Sequence, residues 1–371
     1  MKVEREIAGI IVPFIAGVAF MSWYGCHAIP CRFACSALSF LLISIPTAFL
    51  LHPGHRNMAP LVLWIMTGLC MASCGTLCAL TSDILSVSRT SSGNIMEYVL
   101  SLGQATGTTI DRIDFSDPDT NAIIKAIIIG DRSDIPAHIK EAFSKSGASH
   151  ILALSGLHLG IIYGILNMFL SHIGNSSVAT RLRSSIIVAI CGIYTLATGA
   201  GASIVRAFIF ILLGEAAKVT GRFKNTGTIL MASMLIHLTV KPEAIKDISF
   251  QLSYAAMAGI ALIFPLMKDF WPEKNVSVRL KGPLRWMWDT AALSISCQIT
   301  TGPLAYFHFG TFPKYFLLTN LIAMPLTGLI IPSAVATTLL TSIGWCPEKL
   351  TRATEMLVTA LSEALEIISS M

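Results

Sequence analysis

The stretch FLLTNLIAMPLTGLIIPSAVATTLL, Phe316–Leu340, decides the class of this chain. It carries no charged residue, and it is longer than the ~20 apolar residues a helix needs to cross a bilayer. Its apolar positions do not alternate strictly, which argues for a helix and against a barrel strand. Comparable runs occur at Ile7–Tyr24, Phe33–Leu51, Leu61–Leu80, Ile151–Leu170, Ser185–Thr198, Ile204–Ala217, Thr228–Val240, Ile248–Met267 and Thr290–Phe309. The reading is an all-α polytopic membrane protein with about ten transmembrane helices.

Composition agrees. Of 371 residues, 13% are charged and 54% are hydrophobic, and the mean hydropathy is +0.70. A soluble domain carries roughly 25% charge, so a soluble enzyme, a disordered chain and a small disulfide scaffold are all excluded. Nine cysteines sit mostly inside apolar runs. Cys70, Cys74 and Cys78 share a helix face and read as small packing residues. Cys26 and Cys31 flank a short turn and would pair only in an oxidising compartment.

Lys2 and Arg5 before the first apolar run resemble a signal peptide, but no A-x-A site follows, so the run reads as a retained first span. With the N-terminus inside, 15 basic residues fall on inner segments and 4 (Arg32, Lys241, Lys246 and Lys314) in short outer loops. The positive-inside rule favours that layout, with a cytoplasmic N-terminus. Phe270, Trp271, Trp286 and Trp288 around the largest basic loop fit an interfacial belt.

Four regions follow. Residues 1–81 are N-terminal membrane helices. Residues 82–149 are the long hydrophilic segment, expected outside. Within it Asp117-Pro118-Asp119 reads as a turn, a helix over Asn121–Ile129 stops at Gly130, and Asp134-Ile135-Pro136 opens an amphipathic turn through Phe143 against the membrane face. Residues 150–345 are the dense membrane core. Residues 346–371 form an amphipathic tail expected on the inner membrane surface or against a partner.

The short spans 185–198 and 204–217 enclose Thr198-Gly-Ala-Gly-Ala-Ser203. Such a Gly-rich interruption marks either a broken or re-entrant helix beside a cavity or a tight hairpin turn. Gly199 and Gly201 there, and the G-x-x-x-G pair Gly156 and Gly160, are the candidate close-packing glycines.

His150-Ile-Leu-Ala-Leu-Ser155-Gly-Leu-His158 is the most unusual polar segment. Helical spacing brings Ser155 and His158 to one face, with His150 nearly on the same side. A Ser–His pair could act as nucleophile and base, and a His pair could bind a metal. The favoured reading is a polar lining or interhelical hydrogen bonding. Arg206 would cost about 2.5–3.5 kcal/mol at the bilayer centre and should face a partner, water or a passing anion. Gln251, Ser253, Gln298, His308 and Asn320 complete the candidate pore lining. No catalytic, metal or cofactor residue is assigned, and no P-loop occurs.

Gly130-Asp131-Arg132, Ala142-Phe143, Gly147 and His150–Gly160 closely resemble the competence domain of ComEC-type DNA-uptake channels. Ser203–Ala207, Phe250–Tyr254, His308-Phe309-Gly310 and Asn320–Leu326 continue the resemblance in order, over roughly residues 121–341. It implies an inner-membrane channel passing single-stranded DNA into the cytosol during natural transformation, without a catalytic role. Its partners would be the strand, an extracytoplasmic DNA receptor, a cytosolic ATP-driven motor, membrane lipids and further copies of the chain. The family's OB domain would be reduced here to a remnant at Asp83–Asp114, and its metallo-β-lactamase-like domain is missing. The rival readings are an intramembrane enzyme using His150, Ser155 and His158, or a small-solute transporter.

Overall fold

The computed structural model describes residues 2–24, 39, 60–86, 93–174, 176–221, 226–271, 281–310, 312–345 and 347–371. The expected span 33–51 and the Cys26–Cys31 pairing fall outside these residues. Among those described the chain is helical and contains no strand. Among the described residues four helices are long and apolar enough to cross a membrane: Gly156–Ile173, Ser177–Ala197, Ile248–Asp269 and Phe316–Ser342. Shorter apolar helices cover Ala8–Trp23, Trp64–Ala79 and Thr226–Val240. The all-α membrane class is borne out.

Two compact units result, one from residues 1–93 and 223–254, the other from 94–222 and 255–371. In the first, α1 (Lys2–Tyr24) crosses α2 (Pro60–Ser86), and α10 (Thr226–Val240) joins them. Glycine sets the approach. A Cβ on Gly17 would lie 1.9 Å from the Ala72 carbonyl oxygen, and one on Gly75 would lie 2.1 Å from that of Phe14. Small residues on facing helices let backbones meet this closely where lipid offers no hydrophobic driving force. Phe14, Val18, Leu238, Phe250 and Tyr254 form its core.

The second unit holds α3 (Gly93–Asp111), α4 (Pro118–Ile128), α5 (Ala137–Lys145), α6 (Ser149–Leu152), α7 (Gly156–Leu170), α8 (Ser177–Ala197) and α9 (Ala202–Thr220). It continues with α12 (Phe264–Asp269), α13 (Lys281–Phe309), α14 (Phe316–Ser342) and α15 (Glu348–Ser369). Helix α11 (Ile248–Leu262) carries the division between units. The helical hairpin α8–α9 packs with α7 around Leu159, Ile187, Cys191 and Ile204. A larger core joins Ile110, Ile123, Ile127, Phe143 and Ile151 to Ile330 and Ala334 of α14 and to Val358, Leu361 and Leu365 of α15.

Three expectations are corrected. Helix α3 occupies Gly93–Asp111, where a reduced OB barrel was anticipated at Asp83–Asp114. The supposed short spans are full helices of 21 and 19 residues, because the polar start Ser177–Ser184 belongs to the first and the flanks Ala202-Ser203 and Lys218–Thr220 to the second. They meet in a tight turn with Gly199 at φ +81° and Ala200 at φ +50°, so the Gly-rich segment is a hairpin and not a re-entrant break. Third, α15 does not lie apart on a membrane surface. It runs back along α14, with the Thr337 and Thr354 hydroxyls 3.2 Å apart and the Tyr315 hydroxyl donating to the Met371 carbonyl at 3.3 Å. Its apolar face covers α4 and α5, and Glu355 accepts the Asp117 N–H at 2.8 Å. Residues 118–145 and the tail therefore pack against each other.

Candidate functional site: the helix break at residues 153–155

The polar segment at 150–160 is not one helix. Helix α6 ends at Leu152, Ala153 turns extended (ψ 128°), and Ser155 is extended at φ −119°, ψ 170°. Ser155 is the N-cap of α7. Its Oγ accepts the Leu157 N–H at 3.2 Å, and the His158 ring reaches back so that Nδ1 accepts the Ser155 N–H at 3.1 Å. This is a capping box with His in the place usually held by Glu or Gln. An accepting Nδ1 places the ring proton on Nε2, a tautomer assigned from the hydrogen bonds. His158 is fully buried, and Ser155 Oγ stands 3.0 Å from its Nδ1.

The earlier motif blocks hold this break in place. Gly130 terminates α4 at φ +80°, a conformation that suits glycine. The Leu154 side chain fills the space where a Cβ would sit, with its Cδ1 2.4 Å from that position. Tyr194 of α8 donates its hydroxyl to the Ile128 carbonyl at 2.6 Å. Gly147, at φ +82°, lets Pro313 approach, and Thr319 donates to the Ser146 carbonyl at 2.7 Å. His150 is exposed, its Nδ1 3.2 Å from the Gly147 carbonyl. Two irregular segments are thus braced together: the turn at 146–148 with the break at 153–155, and the start of α14.

Outside the spans, Lys125 joins the same scaffold. Its ammonium lies 2.7 Å from Asp111 and 2.6 Å from Asp134, with the side chain 11% exposed. The hydrogen bonds it donates to Asp111 first and Asp134 second raise its pKa. The Lys125 hydrogen bond lowers that of Asp134. The Ser133 backbone N–H lowers that of Asp131. The Gly-Asp-Arg block is therefore an Asx-capped turn locked to α3.

The remaining candidates separate. Gly156 packs close to Ala207, a Cβ there lying 3.3 Å from the alanine methyl, so the break meets α9 one residue from the buried Arg206. Among the described residues nothing lies within 4 Å of a Cβ built on Gly160, Gly199 or Gly201. Asn320 donates to Ser294 at 3.3 Å, tying α14 to α13. His308 is exposed, its ring edge-on to Phe307. Gln298 lines a groove on α13. Gln251 and the half-buried Ser253 lie in the first unit, where Gln251 donates to the Ile245 carbonyl at 2.9 Å. The anticipated lining therefore divides between units, and the second holds most of it.

Glu215 is not among the residues the sequence reading singles out, yet the structure gives it a role. Its carboxylate, 3% exposed, accepts the Tyr163 hydroxyl at 2.7 Å, the Ser184 hydroxyl at 2.6 Å and the Lys218 ammonium at 2.6 Å. One carboxylate thereby pins α7, α8 and α9 together. The available signal was an acid inside an apolar helix, which must find partners. Among the described residues no group of three or more His, Cys, Asp or Glu could hold a metal.

The family model described as Competence protein matches residues 127–371. ComE operon protein 3 of Bacillus subtilis (strain 168) is 27% identical over 228 residues, covering 61% of this chain and 27% of that protein. A protein of Escherichia coli (strain K12) called Uncharacterized protein YcaI is 26% identical over 215 residues, covering 57% of this chain and 28% of its own length. The chain thus spans little more than a quarter of the curated relatives it matches. No solved structure matches it.

Proposed function

The chain belongs to the Competence protein family, and from that premise we propose that it serves DNA uptake, passing a single strand across the bacterial inner membrane into the cytoplasm. The observation that carries the reading is the coincidence of the family match with the braced helix break. The break at 153–155 adjoins the N-terminal end of the candidate span Gly156–Ile173, and it sets Ser155 and His158 beside the helix that carries the buried Arg206, polar and cationic groups within an apolar bundle. His150, Gln298, His308 and Asn320 belong to the same unit and are the further candidates for the polar lining.

A strand bears one negative charge per nucleotide, and an inside-negative potential opposes each by about 2.3 kcal/mol per 100 mV. Passive entry of a long strand is therefore uphill, so the channel acts with a cytosolic ATP-driven motor and an extracytoplasmic receptor. The N-terminus is cytoplasmic, as the excess of basic residues on the inner segments of the whole chain favours. Photo-crosslinking tests the path. A photoreactive residue at His150 or Asn320 should capture a strand stalled during uptake, and one at Met168, which is 60% exposed on α7, should not. Equal capture at all three positions would refute the path.

One observation favours a second reading. The Ser155 Oγ to His158 Nδ1 distance of 3.0 Å is that of a nucleophile and base. The two readings part at Ser155→Asn, which keeps the N-cap and removes the nucleophile. The channel retains uptake in this variant, whereas an enzyme loses all turnover.

A further inference from the structure

Between Asp289 and Glu348 the sequence contains no acidic residue, and its single formal charge is Lys314. This cation sits beside the densest aromatic segment of the chain, Tyr306-Phe-His308-Phe and Phe312-Pro-Lys-Tyr-Phe316. In the fold these residues close an open groove of about 510 Å³ between the C-terminal half of α13 and the start of α14. Tyr306, Phe312 and Phe316 form its walls, and Gln298 supplies a polar group within it. The Phe312 and Phe316 rings meet edge-to-face, 6.2 Å between centroids. Tyr306 is 62% and Phe312 49% exposed. Pro313, next to Phe312, rests on Gly147 of the turn that leads to the helix break.

We propose that this groove is a nucleobase subsite, in which bases of the incoming single strand stack on Tyr306 and Phe312 while Gln298 meets a base edge. The proposal rests on the single-strand channel reading and deepens it. The exposed rings offer the sequence-tolerant stacking surface that single-stranded nucleic acid uses. The side-chain amide of Gln298 has no hydrogen-bond partner among the described residues. An acyl chain in the groove would leave that amide unsatisfied in hydrocarbon, whereas a base edge presents both donors and acceptors. Charge complementarity points the same way. The exposed His308 and Lys314 are the cationic or potentially cationic side chains of the segment, and nothing acidic within it repels a phosphate.

The test uses the full chain in lipid nanodiscs, with fluorescence anisotropy of an oligothymidylate strand and of an abasic strand carrying the same phosphates. The wild-type protein should bind the thymidylate strand more tightly. Phe312→Ala and Phe312→Leu should each weaken that binding about tenfold, the loss of one stacked base. Phe312→Trp should restore it, and none of the three should change binding of the abasic strand. Wild-type affinity in Phe312→Leu would mark a hydrocarbon groove that an acyl chain fills, and would overturn the inference. So would equal binding of the two strands by the wild type, or an equal loss of both in the variants. If the wild-type chain binds neither strand, the channel reading itself fails, and the inference falls with it.

Discussion

Replacing Gly130 with alanine tests how the helix break is held. The substitution does two separable things. It forces an L-residue to φ +80°, which costs about 1–2 kcal/mol. It also places a Cβ 2.4 Å from Leu154 Cδ1. Leu154 lies between α6 and α7 in the extended segment, and its Cγ is 3.0 Å from that Cβ position, so relief requires a Leu154 rotamer change within the break, and overpacking of this kind costs about 1–3 kcal/mol. The sum is about 2–5 kcal/mol, and for a body the size of the second unit each kcal/mol lowers the melting midpoint by about 2–4 °C. Thermal unfolding in detergent should show Gly130→Ala melting about 4–20 °C below wild type. Gly130→Asn, which tolerates the left-handed region, should recover the strain component only. Pairing Gly130→Ala with Leu154→Ala should recover the contact component, giving a coupling of about 1–3 kcal/mol in a double-mutant cycle. A wild-type midpoint for Gly130→Ala, or strict additivity in the cycle, would refute the claim that Gly130 seats the break through Leu154.

Glu215→Ala should lower the melting midpoint far more than Glu215→Gln, since the amide still accepts from Tyr163 or Ser184; equal losses would show that the network does not join α7, α8 and α9. Lys125→Met should destabilise at neutral pH, and its deficit against wild type should shrink as pH falls. The sign follows from Asp134, whose folded pKa is depressed by Lys125. Its contribution is therefore complete above the ordinary Asp value of about 3.9 and is lost as pH drops through the lower folded value. A deficit that grows on acidification contradicts the pairing. In a cysteine-depleted background, Lys140→Cys and Met356→Cys, both exposed, should react with a membrane-impermeant maleimide from the same side. Labelling from opposite sides would overturn the packing of α15 on α4 and α5.

Much of the second unit was legible before its coordinates. Gly130 as a terminator and Pro136 as a start are local backbone rules, and the structure placed helices at Pro118–Ile128 and Ala137–Lys145 accordingly. The nearness of Ser155 and His158 was legible too, though for a different reason than helical spacing. A continuous apolar run concealed the break, because Ala153-Leu154-Ser155 contains neither glycine nor proline. The cue was Ser-x-x-His read as a capping box. The amphipathic pattern of α15 is the same for a membrane surface and for a protein neighbour, so periodicity alone could not identify α4, α5 and α14 as its partners. Thr351 and Thr354 on its buried face were the subtler sign, since hydroxyls of that kind satisfy themselves on their own helix carbonyls. The Glu215 network joins residues up to 52 apart in sequence, and no local pattern encodes such a meeting.

The central claim is that this chain carries a DNA strand inward. It is met most directly by following a radiolabelled donor strand into the nuclease-protected cytosolic fraction, in cells lacking the chain and in the same cells with it restored. The account predicts that labelled strand binds the surface in both, reaches the cytosol only in the restored cells, and reaches it again with Ser155→Asn. Undiminished arrival in cells lacking the chain would contradict it.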